Sequence, residues 1–349
     1  MSAGLKYLVI QTAFPGDVVL TLPLAQLLAR TRPDSAVDML VTPRSADLLR
    51  NHPSVRRTVC FDKRGSDAGV LGLFRLAGRL SRERYDVALI PHRSLRSALV
   101  ARLAGIPRRI GFATSSGRFL LTEHVPYDPH AHEIDRVMSL LRPLGIEPGR
   151  ERPRLAPPEE DQRLVDGALR GWRLAPDAAL VAVAPGSVWA TKRWLPERFA
   201  SLVARLVEEG FSVVLIGGSE DGELCRRIAL ASSSDRVMSM AGQLSLLQSA
   251  AMIARCALLV SNDSAPMHLA GAVGTPVIAI FGATAPSYGF APTGTRDRIV
   301  ETLGLACRPC AIHGGERCPI TTFDCMKEIS VERVLAEVVA LAGRPQGQR

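Results

Sequence analysis

Residues 257–281 constrain the fold of this chain more than any other segment. Residues 257–260 are an apolar run that is too short for a helix and typical of a buried parallel strand. A polar turn follows at 261–268, then a short helix that stops at Gly274, and then a second apolar run at 277–281. Because strand, turn, helix and strand come in this order, the segment predicts a right-handed βαβ unit within a parallel sheet.

The polar turn of this unit carries side chains suited to a phosphorylated ligand. The N–H groups and the dipole at the start of its helix favour a bound diphosphate. Asp263 would repel a diphosphate, so we expect it to accept hydrogen bonds from sugar hydroxyls if it touches the ligand. The alternative is that Asp263 and Ser264 only cap the helix and that His268 only packs. The residue types leave both interpretations open.

Strands and helices alternate along the chain in two series, as in doubly wound α/β folds. The predicted strands are 7–11, 36–41, 55–61, 86–90 and 109–112, then 180–184, 213–216, 236–240, 257–260 and 277–281. Apolar periodicity lapses between Pro143 and Pro158, where Pro, Gly, Arg and Glu dominate. We therefore predict two Rossmann-like domains, 1–155 and 156–349, that face each other across a cleft. The last helix could pack back on the N-terminal domain.

The charge of the chain points to anionic partners. It has 43 Lys and Arg against 34 Asp and Glu, a net charge of +9, which suggests nucleic acid, a membrane surface or a phosphorylated substrate. Aromatic residues make up only 5% and do not interleave with arginine, so we expect no nucleic acid partner. No signal peptide or membrane-spanning run is visible, so we predict a cytoplasmic protein that could contact an anionic inner membrane peripherally.

Loops of the second series would converge in a parallel sheet, because the carboxyl ends of its strands share one edge. Ser187 and Lys192 follow its first strand, Glu220 follows the second, and the Asp263 turn follows a later one. Lys192 suits a diphosphate leaving group, and Glu220, in a Gly-Gly-Ser-Glu turn, suits a ribose. In the first series Asp17 lies at the corresponding strand end, where a helix cap is the alternative interpretation.

Several segments together resemble the motifs of the family 9 glycosyltransferases, the bacterial heptosyltransferases of lipopolysaccharide core synthesis. These segments are 14–23, 184–187, 192–196, 241–243 and 261–268, in the order that the family has them. The resemblance covers about residues 5–335 and is greatest to the members that add the second heptose of the inner core. It implies a GT-B fold, an ADP-heptose donor held mainly by the C-terminal domain, a lipid A–core oligosaccharide acceptor, and inverting transfer without an obligatory metal.

The resemblance also implies roles for individual residues. Asp17 would be the general base, and Lys192 would neutralise the leaving diphosphate. The donor-binding set that it implies is Ser187, Lys192, Glu220, Asp263, Ser264, Ala265 and His268. Ala265 stands where the family more often has glycine, which would limit backbone approach to the phosphate.

Two other functions remain open. One is a GT-B transferase or epimerase that uses another nucleotide-sugar, such as a UDP-sugar, because no residue here distinguishes adenine from uracil. The other is a non-catalytic nucleotide-sugar binder, against which the combination of Asp17 with Lys192 argues, since a binder needs no base.

Basic residues of the first half suggest a phosphorylated acceptor. Arginine recognises phosphate through charge-assisted hydrogen bonds, although a solvated surface is the alternative explanation for most of these side chains. The predicted acceptor-binding residues are Gly16, Arg56, Arg57, Arg93 and Arg118.

A cysteine-rich segment lies outside the predicted catalytic scheme. Four of the seven cysteines fall within 19 residues, at Cys307, Cys310, Cys318 and Cys325, a spacing that resembles a structural zinc loop. A set of reduced thiols is the alternative. The run from His130 to Glu133 has no well-placed third ligand, so no metal site is predicted there. We expect that catalysis needs no cofactor.

Overall fold

The computed structural model of the protein describes residues 4–172, 174 and 179–344. The chain divides into two compact units, Met1–Ala156 and Pro157–Arg349. We call them the first unit and the second unit.

The first unit contains a parallel sheet with the strand order of a Rossmann fold. Its strands in the described residues are β1 (Lys6–Ile10), β2 (Ala36–Val41), β3 (Arg57–Cys60), β4 (Val87–Ile90), β5 (Arg108–Phe112) and β6 (Glu123–Val125). They lie in the order β3-β2-β1-β4-β5-β6, with all neighbours parallel. The strand order reverses between β1 and β4, and ligands of such sheets bind beyond the carboxyl ends at that point. The strand β6 was not predicted, because three residues with two polar side chains give no periodic signal.

In the described residues, four helices connect β1 to β5 in turn, and a fifth follows β6. In chain order they are α1 (Pro15–Thr31), α2 (Pro43–Ala46), α3 (Gly69–Ser81), α4 (Leu95–Leu103) and α5 (Glu133–Ser139). One core cluster joins Leu8 of β1 to Leu76 and Leu80 of α3 and to Val100 of α4, all nearly inaccessible to solvent. Full burial of each such side chain contributes about 1.5–3 kcal/mol, so this cluster fixes α3 and α4 on the sheet.

The second unit repeats the same topology. Its strands in the described ranges are β7 (Leu180–Ala184), β8 (Ser212–Leu215), β9 (Val237–Ser239), β10 (Leu258–Asn262), β11 (Val277–Phe281) and β12 (Arg298–Glu301). The order is β12-β11-β10-β7-β8-β9, again parallel throughout, with the reversal between β7 and β10. The predicted fold class is confirmed: this is an α/β chain with two Rossmann-like parallel sheets, as in GT-B proteins.

The helices of the second unit include the last helix of the chain. In order they are α6 (Glu159–Gly171), α7 (Pro196–Glu208), α8 (Gly222–Ser232), α9 (Leu246–Ile253), α10 (Ala265–Val273), α11 (Asp324–Lys327) and α12 (Val331–Ala342). We expected that the last helix could return to the N-terminal domain. Val334, Leu335 and Val338 of α12 are buried in the core of the second unit. Within the described ranges, no helix is long and apolar enough to cross a membrane.

Candidate functional site

The loops after β7 and β10 bring Lys192 and Asp263 together at the carboxyl edge of the second sheet. Lys192 Nζ lies 2.6 Å from Asp263 Oδ2, and only 14% and 7% of the two side chains are exposed. Thr284 Oγ1, from the loop after β11, donates a hydrogen bond of 2.7 Å to the same carboxylate oxygen. Because solvent is largely excluded, this charge-assisted contact holds the ammonium group in a fixed place.

A buried amide ties the same two loops together. Asn262, the last residue of β10, accepts the backbone N–H of Trp194 at 3.0 Å and donates to the carbonyl oxygen of Pro185 at 2.8 Å. The two bonds need one acceptor and one donor on a single side chain, which a carboxamide provides. Asn262 therefore fixes the loop that carries Lys192 against the strand that leads to Asp263. We did not predict a role for this residue.

The start of α10 lies immediately after Asp263. Ser264 occupies the N-cap position but makes no side-chain capping bond, and Pro266 lies in the first turn of the helix. The Asp263 carboxylate contacts Lys192 and Thr284. The alternative that these two residues only cap the helix therefore does not describe this turn. His268 is half-buried one turn further along α10.

Two other predicted donor residues lie in the loops after β7 and β8. Ser187 is buried, and its carbonyl oxygen accepts from Arg193 Nε at 2.7 Å. Glu220 is exposed in a 3₁₀ turn after β8, where Ser219 Oγ donates to its carboxylate at 3.4 Å. A side chain at Gly186 would collide with the Asp221 carboxylate, which shows how closely these two loops approach.

A later segment that we did not assign to the site lies against Lys192. Thr191 N–H donates to the carbonyl oxygen of Gly315 at 3.0 Å, and Gly315 N–H donates to Thr191 Oγ1 at 2.7 Å. Gly314 has a φ of +79°, and a Cβ atom there would lie 2.9 Å from Lys192 Cγ. Gly315 thus hydrogen-bonds Thr191, and Gly314 lies close to the first part of the Lys192 side chain.

The same segment carries the cysteines that we considered as zinc ligands, Cys307, Cys310, Cys318 and Cys325. Burial raises the pKa of the Cys325 thiol to about 11, and the neighbouring Cys310 adds to this shift. The Cys310 thiol donates to the carbonyl oxygen of Cys307 at 3.1 Å. Zinc binds thiolates in a closed tetrahedral set. In the part of the chain that the structure describes, no three His, Cys, Asp or Glu side chains are arranged to hold a metal ion.

In the first unit, Asp17 lies inside the first turn of α1 and not in the loop before it. The helix begins at Pro15, and Gly16 is buried in the same turn. The Asp17 carboxylate accepts the backbone N–H of Phe14 at 3.0 Å, and the Asp17 carbonyl oxygen accepts Thr21 Oγ1 at 2.7 Å. Capping and chemistry are compatible here, because a carboxylate offers about four acceptor positions.

A buried glutamate, Glu133, lies near Asp17. It is the first residue of α5, which packs on α1, and it accepts from Arg136 Nε at 2.7 Å. Burial raises the pKa of Glu133 to about 7, the Arg136 charge opposes this, and the negative charge of Asp17 adds to it. In the sequence, we considered Glu133 only as part of a metal motif that we rejected.

Loops after β1, β3 and β4 meet at the same edge of the first sheet. Lys63 Nζ donates to the carbonyl oxygen of Thr12 at 2.6 Å, and Thr12 Oγ1 lies 2.9 Å from His92 Nδ1. Burial, reinforced by the Lys63 charge, lowers the pKa of His92 to about 4, so this imidazole is neutral. The guanidinium of Arg93 stacks 4.1 Å from the centre of the Tyr127 ring. Lys63 and Arg93 therefore place positive charge at the edge that carries Asp17.

Two predicted acceptor residues, Arg56 and Arg57, lie away from the sheet edge that carries Asp17, and the prediction for them needs correction. They are at the amino end of β3, whereas Asp17 lies beyond the carboxyl end of β1. Arg56 forms a bidentate pair with the fully buried Asp38, at 2.9 and 2.6 Å, and Arg57 pairs with Glu83 at 2.9 Å. Their charges compensate carboxylates of the protein itself.

Arg118 is exposed in a 3₁₀ turn after β5 and so lies on the carboxyl side of the sheet.

Comparison with known proteins agrees with this geometry. The sequence profile of glycosyltransferase family 9 (heptosyltransferase) matches residues 73–315, more than half of the chain. The chain belongs to this family.

The relatives cover most of this glycosyltransferase. Lipopolysaccharide heptosyltransferase 2 of Salmonella typhimurium is 28% identical over 313 residues, which is 86% of this chain and 88% of that protein. Lipooligosaccharide heptosyltransferase 2 of Haemophilus influenzae is 28% identical over 348 residues, 95% of this chain and 98% of the relative. The structure of E. coli ADP-heptose LPS heptosyltransferase II matches with a TM-score of 0.80 at 26% identity and covers 97% of this chain and 98% of its own.

A family 9 glycosyltransferase must do two things that these residues are suited to do. Negative charge grows on the leaving group as the glycosyl bond breaks, and fixed cations and N–H dipoles stabilise it. The attacking hydroxyl must lose its proton to a base within hydrogen-bonding reach. Lys192 and the start of α10 lie in the second unit, and Asp17 lies in the first.

Proposed function

We propose that the protein transfers heptose, with inversion, from ADP-heptose to the inner core of lipopolysaccharide, as the second heptose. The observation that carries this proposal is the buried Lys192–Asp263–Thr284 cluster at the reversal point of the second sheet, directly before the α10 start. The names of the relatives support the donor and the acceptor class. We place the protein in the cytoplasm, peripheral to the inner membrane.

On the donor side, Lys192 stabilises the leaving ADP. The electron pair of the breaking glycosyl–oxygen bond passes to the diphosphate, whose added charge is met by the Lys192 ammonium and the first-turn N–H groups of α10. Asp263 holds Lys192 ready before the donor binds, and its carboxylate accepts hydrogen bonds from sugar hydroxyls. Glu220 takes the ribose, and Ser187, Ser264, Ala265 and His268 contact the phosphates and the heptose.

On the acceptor side, Asp17 is the general base. A sugar hydroxyl is a very weak acid, so its proton passes to the carboxylate while the oxygen attacks the heptose. A single displacement inverts the configuration, so one carboxylate is sufficient and no nucleophile pair is needed. Arg93 and Arg118 lie on the carboxyl side of the same sheet and are suited to hold acceptor phosphates.

Asp17→Asn tests the assignment of the base. The variant keeps an oxygen that accepts the Phe14 N–H, so thermal stability and donor affinity should stay close to those of the wild type. It cannot accept the proton, so kcat should fall by about 10²–10⁴-fold. Thr21→Ser, which changes a neighbouring helix residue and keeps its hydroxyl, is the matched control. Near-normal turnover in Asp17→Asn would show that Asp17 is only a helix cap.

The competing donors are tested by mass spectrometry of products. We expect a heptose-sized mass increase of a truncated core acceptor with ADP-heptose and none with UDP-sugars. Product from a UDP-sugar alone would support the other transferase, and donor binding without product on any core acceptor would support the non-catalytic binder.

We propose that catalysis needs no metal or other cofactor. The zinc hypothesis for the four cysteines is tested separately, by elemental analysis of untagged protein. Stoichiometric zinc would show that the thiols adopt a closed arrangement different from the one described above.

A further inference from the structure

A group of large apolar side chains is exposed on one part of the first unit. Val70, Leu71 and Phe74 of α3 are 69%, 78% and 55% exposed, Leu95 at the start of α4 is 44% exposed, and Phe119 is 73% exposed. Helix α3 lies beside α4, and α4 lies beside the 3₁₀ turn that carries Phe119. We call these five side chains the apolar surface. Scattered exposed leucines need no explanation, but a contiguous group marks an interaction site.

Helix α3 has more apolar residues than the core of the first unit buries. Its buried face, formed by Leu73, Leu76 and Leu80, already packs in the core of the first unit. Leu71 and Phe74 are three residues apart and therefore share the opposite, solvent-facing side of the helix. Surface helices normally present polar side chains to water. The first turns of α3 differ, because they are apolar on both faces.

The segments that carry the apolar surface also carry exposed arginines, and nearby acidic side chains are paired within the protein. Asp62 accepts the backbone N–H groups of Gly65 and Ser66, and Asp67 pairs with Arg79 at 2.9 Å. Helix α3 contains no acidic residue. Exposed arginines in and next to the segments that carry the apolar surface include Arg64, Arg75, Arg96 and Arg118.

The apolar surface borders the edge that carries Asp17. In a parallel α/β unit each helix starts near the carboxyl end of the strand before it. Val70 and Leu95 stand at the starts of the helices that follow β3 and β4, and Phe119 follows β5. The Lys63 and Arg93 loops join the same strand ends to these helices.

We propose that the apolar surface inserts into an anionic lipid bilayer and places the Asp17 edge at the membrane, where a lipid-anchored acceptor resides. Exposed leucine and phenylalanine side chains on segments that also carry exposed arginines match the two parts of a lipid interface, its acyl boundary and its anionic headgroups. The charge complementarity favours lipid over a second copy of this basic protein, whose arginines would repel. The part of this proposal that concerns the acceptor rests on the proposed function, and the membrane contact does not.

Sedimentation with vesicles tests the membrane contact without donor or acceptor. Wild-type protein should bind vesicles of equal phosphatidylcholine and phosphatidylglycerol, bind phosphatidylcholine alone far more weakly, and lose affinity as salt is raised. Leu71→Ser combined with Phe74→Ser should weaken binding about tenfold or more, because it removes apolar area from the interface. Leu230→Ser changes an exposed leucine of α8 in the second unit. It is the matched control and should bind like the wild type.

A kinetic comparison tests the link to the acceptor. The double variant should lose kcat/KM toward a lipid-anchored acceptor in the same vesicles and keep it toward a delipidated core oligosaccharide. Absence of vesicle binding by the wild type, or undiminished binding by the double variant, would overturn the proposal. So would a wild-type dimer in light scattering that the double variant abolishes, because the apolar surface would then be a self-interface. Vesicle binding without any heptose transfer would refute the proposed function alone.

Discussion

Replacing Gly314 with alanine should slow sugar transfer by disturbing Lys192, and the chain supplies a matched control in Gly304. The two glycines have nearly the same left-handed backbone, with φ of +79° and +78°. They differ in their surroundings. A Cβ atom at Gly314 would lie 2.9 Å from Lys192 Cγ and 3.1 Å from Thr191 Oγ1, whereas a Cβ atom at Gly304 would meet nothing within 4 Å.

The two variants should lose similar stability for the same reason. An L-residue in the left-handed region costs roughly 1–2 kcal/mol, and both alanines carry that cost. Each kcal/mol lowers Tm by about 2–4 °C in a domain of 150–250 residues, the size class of the second unit. Calorimetry should therefore show comparable shifts in Tm for Gly314→Ala and Gly304→Ala, and any further difference between them reports the contact with Lys192.

Turnover should separate the two variants. A hydrogen bond to a charged group contributes about 1.5–3 kcal/mol, so displacing the Lys192 ammonium enough to lose half of such a contact would lower kcat about tenfold. Gly304→Ala should keep wild-type kcat. Steady-state kinetics with saturating donor and acceptor measures this directly. Equal kcat values for the two variants would refute the reasoning that the Gly314–Gly315 segment positions Lys192.

Two further predictions concern the first unit. Arg56→Ala should lower the free energy of unfolding by about 2 kcal/mol, because buried Asp38 loses its bidentate partner, and should leave the acceptor KM unchanged. If Arg56→Ala instead raised the acceptor KM and left Tm unchanged, Arg56 would be an acceptor-binding residue. Burial raises the pKa of Glu133 from 4.5 to about 7, so the unfolded chain releases a proton that the folded protein keeps, and this group makes stability fall as pH rises from about 4.5 to about 7. The Tm of Glu133→Gln minus that of the wild type should therefore increase over this range and level off above it; a constant difference would contradict the buried-acid assignment.

Much of the second unit could be predicted because its signals are local. The strands at 180–184 and 277–281 have the predicted bounds, since continuous apolar runs flanked by Pro and Gly define them without ambiguity. Once the sheet is parallel, its topology alone sends the loops with Lys192 and Asp263 to one edge. The strand β12 escaped prediction because only Val300 in its four residues is buried, which leaves no apolar run.

Contacts between distant segments could not be predicted in the same way. Thr284 and Gly314 reach the Lys192–Asp263 pair from loops that carry no periodic pattern, and nothing in their local sequence indicates what they touch. We predicted acceptor phosphates as the partners of Arg56 and Arg57. The partners are carboxylates of the protein, because β2 and β3 pair in a register that sets Asp38 opposite Arg57, and a single sequence does not state strand register.

Among the basic residues of the first unit, position relative to the sheet edge separates the arginines that pair with internal carboxylates from those that we propose bind the acceptor. Arg56 and Arg57, at the amino end of β3, form ion pairs with carboxylates of the protein itself. Those beyond the carboxyl ends, such as Arg93 and Arg118, lie with Asp17 on the side where an α/β sheet binds ligands. By the same criterion we assign a function to the exposed apolar side chains at the starts of α3 and α4. Leu230 is exposed near the end of α8, away from such an edge, and needs no functional explanation. Because an arginine paired with an internal carboxylate adds nothing to the net charge, the value of +9 reflects the basic residues in excess of such pairs.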